Sequence, residues 1–220
     1  MEFSQLIKVM SGGIVESLYM TLVSTSLAYL FGIPLGVILF VTDKGGIAEN
    51  KTVNSVLGVI VNLLRSVPFI ILLVAILPFT RFVVGTTIGA TATIVPLVVA
   101  ATPFVARMVE SSLKEVDGGV IEAALSMGSN NLQIITKVLI PEAKPSLIVG
   151  STIAITTILG YSAMAGFVGG GGLGAIGINY GYYRYQKDIM LVTVVLLVII
   201  VQVFQEIGMR IATKTDKRRR

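Results

Sequence analysis

Thirty-nine consecutive residues, 145–183, carry no charged side chain. They are not alone: residues 17–42 and 82–106 are charge-free for 26 and 25 positions, and 189–205 for another 17. A helix crossing about 30 Å of hydrocarbon needs about 20 mostly apolar residues, so these runs have membrane-spanning length. A soluble chain of 220 residues could not bury so much apolar surface, because small domains leave a large fraction of their surface outside. The charged fraction is 13%, against about 25% in an ordinary globular domain. An all-α integral membrane protein is expected, as a single domain over 1–220.

The 39-residue run is too long for one helix. It changes character at Gly166, and seven glycines within 166–177 predict an irregular segment rather than a helix. Between 52–64 and 66–80 stands a lone Arg65, within the inner half of one span. Five spans follow, at about 15–41, 57–79, 82–105, 147–165 and 188–208. The first is too long for a signal peptide and has no small-x-small cleavage site after it. Lys8 and Glu16 read as a short amphipathic lead-in, and Gly32, Pro34 and Gly36 as a kink with a close-packing surface.

Lys and Arg set the orientation. One side of a five-span chain carries Lys44, Lys51, Arg107, Lys114, Lys137, Lys144, Arg210, Lys214 and Lys217–Arg220, twelve in all. The other side carries four: Lys8, Arg81, Arg184 and Lys187. The richer side is cytoplasmic and the N-terminus lies outside. The basic tail Lys217–Arg220 is given a membrane-surface role and no nucleic acid.

One cytoplasmic loop, 106–146, is long, and loops beyond about 15 residues are usually structured or functional. Residues 105–116 continue the third helix, with Arg107, Glu110 and Lys114 spaced for i,i+3 and i,i+4 pairing. Gly118-Gly119 stops it. A short helix then runs from Val120 to Gly128, with Glu122 in its first turn and Gly128 at the left-handed position after its end. Asn130 and Gln133 have capping-box spacing, and Leu132, Ile135 and Leu139 share a face. Pro141 ends that second helix, and Pro145 leads into the fourth span.

This loop resembles the EAA signature of ABC importer membrane subunits. Glu122, Ala123 and Ala124 are followed after three residues by Gly128, and after nine more by Val138-Leu139-Ile140-Pro141 in place of Ile-x-Leu-Pro. Both departures are apolar for apolar. The stretches LLRSVPFIILLVAILPFTR (63–81), IVPLVVAATPFVARMVE (94–110) and GYSAMAGFVGGGGLGAIG (160–177) are similar to the membrane subunits of methionine ABC importers, and the similarity extends over about 12–210. The resemblance implies a type I ABC importer transmembrane domain whose cytoplasmic helix-turn-helix couples to an ATPase. Glu122, Ala123, Ala124, Leu125, Met127, Gly128 and Pro141 are the implied docking residues. It also implies a homodimer, two ATPase subunits, an external binding protein or lipoprotein, methionine in L and D forms, membrane lipid, and a bacterial cytoplasmic membrane.

The chain has no G-x-x-x-x-G-K-[ST] and no Gly-Lys dipeptide, so it cannot hold nucleotide phosphates as a P-loop does. ATP and magnesium belong to a partner, and no cofactor to this chain. Gly169–Gly174 matches G-x-G-x-x-G, but no strand precedes it and no dinucleotide site is assigned. There is no His and no Cys, which excludes a Cys/His zinc site, a His base, a Cys nucleophile and a disulfide. The rival to an importer subunit is an ion-coupled secondary transporter, which needs acids inside its spans; here they fall in loops or near span ends. An importer of another small amino acid is the nearer alternative.

For the path, Tyr161, Ser162 and Met164, with Ala163, stand at the outer end of the fourth span. A flexible thioether at Met164 suits a gate, while Tyr161 and Ser162 either offer polar contacts or pack between helices. Arg65, Ser66 and Pro68 are the other candidates. Arg65 either caps carbonyls freed by Pro68, pairs with a loop acid, or attracts a carboxylate. Tyr180, Tyr182, Tyr183 and Tyr185 read as an interfacial belt.

Overall fold

The computed structural model describes residues 3–215, which form helices and short connections with no strand among them. The tail Lys217–Arg220 lies outside the described residues. α1 (Phe3–Val41) is one continuous helix of 39 residues with Pro34 inside it. It absorbs the expected lead-in, so Glu16 lies well within a helix rather than beyond its end.

The second span departs from expectation. α2 (Lys51–Ser66) stops short of Val67 and Pro68, because a residue before proline is driven out of helical angles, and Pro68 itself is extended at ψ 135°. α3 (Phe69–Ala75) and α4 (Leu77–Val84) follow, and Gly85 closes α4 in the left-handed region at φ 83°. Residues 57–79 are therefore broken, and the third long helix, α5 (Ala90–Lys114), starts later than the expected 82 and, as expected, continues past 105. Four continuous helical stretches are long and apolar enough to cross a membrane, or five if α2 and α3 count as one broken crossing.

α6 (Gly118–Ser126) and α7 (Asn131–Ile134) form the hairpin of the long loop. α7 passes through a π turn, Ile135–Leu139, straight into α8 (Ile140–Met164). Pro141 does not end this helix: Ile140 keeps helical angles, and its N–H donates to the Ile135 carbonyl five residues back. A wide turn tolerates proline because it already gives up the i→i+4 bond that the ring cannot make. The same turn changes which side chains face inward. Ile134 and Leu139 are buried while Leu132 is 69% exposed, so the expected Leu132–Ile135–Leu139 face is replaced.

The glycine-rich segment is mostly helical, against its composition. A 3-10 turn (Ala165–Val168) leads to α9 (Gly172–Ile176), a π turn (Gly177–Tyr182) and then α10 (Lys187–Thr215). Glycine disfavours helix, but here it permits close approach. A Cβ on Gly174 would strike the backbone of Ala163, and one on Gly181 would strike Met190.

The chain forms two compact units. The first comprises, among the described residues, 3–28, 67–101 and 154–205, with Met10, Leu173 and Ile189 at the centre of one cluster. The second comprises 29–66, 102–153 and, among the described residues, 206–215. In it Leu39, Val61 and Ala106 pack together, flanked by Leu35 and Leu57. Gly32 and Gly36 lie hard against α5, where added Cβ atoms would stand 2.6 Å from Val105 and 2.5 Å from the Ala106 carbonyl. The GxxxG pair is thus a close-packing surface, as its spacing predicts.

Candidate coupling site and translocation path

The hairpin is built by caps. Three residues after α5 ends, the Asp117 carboxylate accepts the Gly119 N–H at 2.7 Å and opens α6. Gly118 and Gly119 begin this helix instead of merely stopping the previous one, so Glu122 falls in the second turn, not the first. The acid at the N-terminus is Asp117. An Asp directly ahead of a helix is a local capping signal, here followed by two glycines.

The far end of α6 closes as predicted. Gly128 has φ +77°, its N–H donates to the Leu125 carbonyl at 2.9 Å, and the Ser129 N–H to the Ala124 carbonyl at 3.1 Å. The Asn130 side chain accepts the Gln133 N–H at 2.9 Å and the Gln133 side chain accepts the Asn130 N–H at 3.0 Å. That reciprocal box starts α7. Backbone bonds on both sides hold the turn Met127–Asn130 in one conformation.

Only part of the predicted docking set faces outward. Ala124 is 2% exposed and packs inside, so its small size serves the hairpin itself. Glu122, Ala123, Ser126 and Gly128 are exposed, and so are the large apolar Leu125 and Met127, the latter at 79%. Large apolar side chains exposed together are the usual mark of a contact surface. Pro141 stands apart, lining a cleft of about 740 Å³ with Ser112, Val149 and Thr213.

Behind the hairpin is a charge network of which the spacing gave only half. Arg107 and Lys114 both bond Glu110, at 2.6 and 2.9 Å, as i,i+3 and i,i+4 pairing predicts. Glu110 is buried in the last turns of α5, on the stretch expected to continue that helix. Pairing with two cations on its own helix offsets the cost of burying the carboxylate. The unforeseen half lies outside α5. Lys114 also reaches Asp43 at 3.0 Å, and Arg107 donates to the Gly58 carbonyl at 3.2 Å and to Asn62 Oδ1 at 3.0 Å. The hydrogen bond from Lys114, then that from the Lys44 N–H, holds the Asp43 carboxyl below its ordinary value.

Along the candidate path, Tyr161 stacks face to face on Phe69, with ring centroids 4.6 Å apart and planes 4° from parallel. Phe69 opens α3 immediately after Pro68. Ser162 is buried and its hydroxyl donates to the Leu159 carbonyl at 2.8 Å, so that donor is spent within α8. Met164, the last residue of α8, is half exposed. Arg65 is exposed, and among the described residues its side chain makes no hydrogen bond or ion pair. The carbonyl of Asn62 is taken by the Ser66 hydroxyl at 2.8 Å instead.

The glycine segment beyond is anchored by Glu16, Ser17 and Thr93. The Glu16 carboxylate accepts the Gly172 N–H at 2.6 Å and the Ser17 hydroxyl accepts the Leu173 N–H at 2.8 Å. Thr93 donates to the Gly170 carbonyl at 3.1 Å. Of the tyrosines, Tyr182, Tyr183 and Tyr185 are exposed, while Tyr180 lies under the Arg184 guanidinium at 4.5 Å.

Residues 32–220 match the family of binding-protein-dependent transport system inner membrane components. A "Probable D-methionine transport system permease protein MetI" of Vibrio cholerae is 53% identical over 203 residues, covering 92% of this chain and 90% of that one. The "Methionine import system permease protein MetP" of Bacillus subtilis is 48% identical over 181 residues, with 82% of each covered. A chain from the solved "Inward facing conformations of the MetNI methionine ABC transporter" superposes with a TM-score of 0.97 at 47% identity, covering 99% of this chain and 100% of that one. An "amino acid ABC transporter with histidines", 17% identical, superposes at 0.78 over 97% of this chain and 99% of its own, and shows the shared fold alone.

Proposed function

Because the chain belongs to the family of binding-protein-dependent transport system inner membrane components, we propose that it is the permease subunit of a methionine importer driven by ATP. It contributes no catalytic group; hydrolysis, with its nucleotide and magnesium, resides on separate ATPase subunits. Two copies of the chain form the conduit, each lending one coupling hairpin to one ATPase. An external binding protein delivers methionine, L or D, and the assembly sits among the lipids of a bacterial cytoplasmic membrane.

The observation that carries this reading is the hairpin. Its turn is fixed by Gly128 at φ +77° and by the Asn130–Gln133 box, and it holds Leu125 and Met127 out for a partner. A surface of that kind is wasted on a connecting loop and suits a part that receives force. With α2 and α3 taken as one broken crossing and the N-terminus outside, the hairpin falls on the cation-rich, cytoplasmic side. Closure of the ATPase pair drives the two hairpins together, and the path opens outward; hydrolysis resets it. Tyr161 and Met164, with Pro68, border the path, and the thioether of Met164 gives a soft apolar contact to a thioether substrate.

The reading is tested by reconstituting the chain with its ATPase and binding protein in proteoliposomes and following labelled methionine. Uptake that requires ATP and the ATPase is expected. Uptake driven by an ion gradient on the permease alone would overturn it. Preference for another small amino acid would keep the importer and change the cargo.

A further inference from the structure

The coupling hairpin joins α5 through only three residues, Glu115–Asp117. What holds the end of α5 therefore decides where a push on α6 goes. Glu110 is central: its side chain is 7% exposed, its Oε2 takes Arg107 Nη1 at 2.6 Å, and its Oε1 takes Lys114 Nζ at 2.9 Å. Both oxygens are used, and each cation has a second partner on another element. Arg107 Nη2 donates to the Gly58 carbonyl and to Asn62 Oδ1, both on α2. Lys114 Nζ reaches Asp43 Oδ2, just past the end of α1.

Apolar packing of Leu39, Val61 and Ala106 already holds these elements together, and so does the close approach of Gly32 and Gly36 to α5. Association does not need the charges. Directional polar bonds add register: they forbid sliding or rotation that apolar contact would tolerate. The arrangement runs from α2 through Arg107, Glu110 and Lys114 to Asp43, across the last two turns of α5 before the hairpin.

Building on the function proposed above, we infer that Glu110 is a positioning residue for coupling. Together with Arg107 and Lys114 it ties the end of α1 and the body of α2 to the last turns of α5 as a single lever, so that displacement of α6 moves all three. Without it, α5 slips locally and the stroke is lost between ATPase and path.

The test uses the whole transporter, reconstituted with ATPase and binding protein, and reads methionine moved per ATP hydrolysed. Glu110→Gln and Lys114→Met are compared with wild type and with Lys114→Arg. Lys114→Met leaves the buried Glu110–Arg107 pair intact, so folding does not depend on it. Both disruptive variants are expected to copurify with the ATPase, melt near wild type and hydrolyse ATP, while methionine per ATP falls about fivefold or more; Lys114→Arg restores it. If Glu110→Gln fails to assemble, Lys114→Met alone decides. An unchanged ratio in Lys114→Met overturns the inference while leaving the importer in place. Loss of assembly in that variant overturns it too, since the cluster would then hold the fold rather than carry load. A wild-type complex that hydrolyses ATP without moving methionine overturns the proposed function and the inference together.

Discussion

Gly36 offers a measurement of how tightly α1 is seated on α5. A Cβ at this position would stand 2.5 Å from the Ala106 carbonyl oxygen and 2.7 Å from Val109 Cβ. An ordinary contact is at least 3.4 Å, so Gly36→Ala must open the interface by about 0.9 Å against a backbone atom that cannot turn aside. Forcing extra carbon into a packed contact costs about 1–3 kcal/mol. Alanine also favours helix over glycine by about 1 kcal/mol, which offsets part of that cost. The proper control is Gly12→Ala on the same helix, where nothing lies within 4 Å of the new methyl. The two variants share the propensity gain and differ only in the clash. Their separation is about 1–3 kcal/mol, or roughly 2–12 °C in Tm for a chain of this size. Thermal unfolding of the detergent-solubilised protein, followed by loss of the monodisperse peak, reads the difference. Gly36→Ala melting with Gly12→Ala would refute the close seating of α1 on α5.

Three other perturbations probe the hairpin and its surroundings. Asp117→Ala removes the cap on α6, costs about 1 kcal/mol locally, and should speed hydrogen exchange at the Gly119 amide while leaving the spans intact. Ala123→Trp, on the exposed side of α6, should abolish copurification of the ATPase with no change in melting; Ala124→Trp, at a buried position, should lower melting as well. The Asp43 carboxyl is held below its ordinary value by Lys114 and the Lys44 N–H. A depressed carboxylate stabilises the fold above its unfolded value, near pH 4, and loses that contribution as pH falls through the lower folded value. Asp43→Asn should therefore flatten the dependence of melting temperature on pH in the acid range and leave the rest of the profile unchanged.

Much of the hairpin was written locally. The left-handed Gly128, the Asn130–Gln133 box and the pairing of Arg107, Glu110 and Lys114 each depend on residues within one or two turns, and sequence spacing finds them. Features that failed depend on partners distant in the chain. Gly174 and Gly181 sit in helical turns with Ala163 and Met190 lying where their side chains would be, and no local propensity reports that. Pro141 passes through a helix because the preceding turn is wide, a backbone choice without a residue signature. Asp43 meets Lys114, and Gly58 meets Arg107, across 71 and 49 positions of sequence. The candidate path is legible only as composition: Tyr161 stands out at the end of its span, but its stacking partner Phe69 does not, because a face-to-face pair has no spacing rule.

The π turn at Ile135–Leu139 has one further consequence. It accommodates about one residue more than an α-helical path would, and each residue of an α-helix turns the chain through about 100°. The hairpin is therefore dialled round the axis of α8 by about a quarter of a revolution from where an unbroken helix would aim it. Deleting one residue within the turn would leave every cap and every apolar side chain of the hairpin present, yet aim its contact surface in another direction.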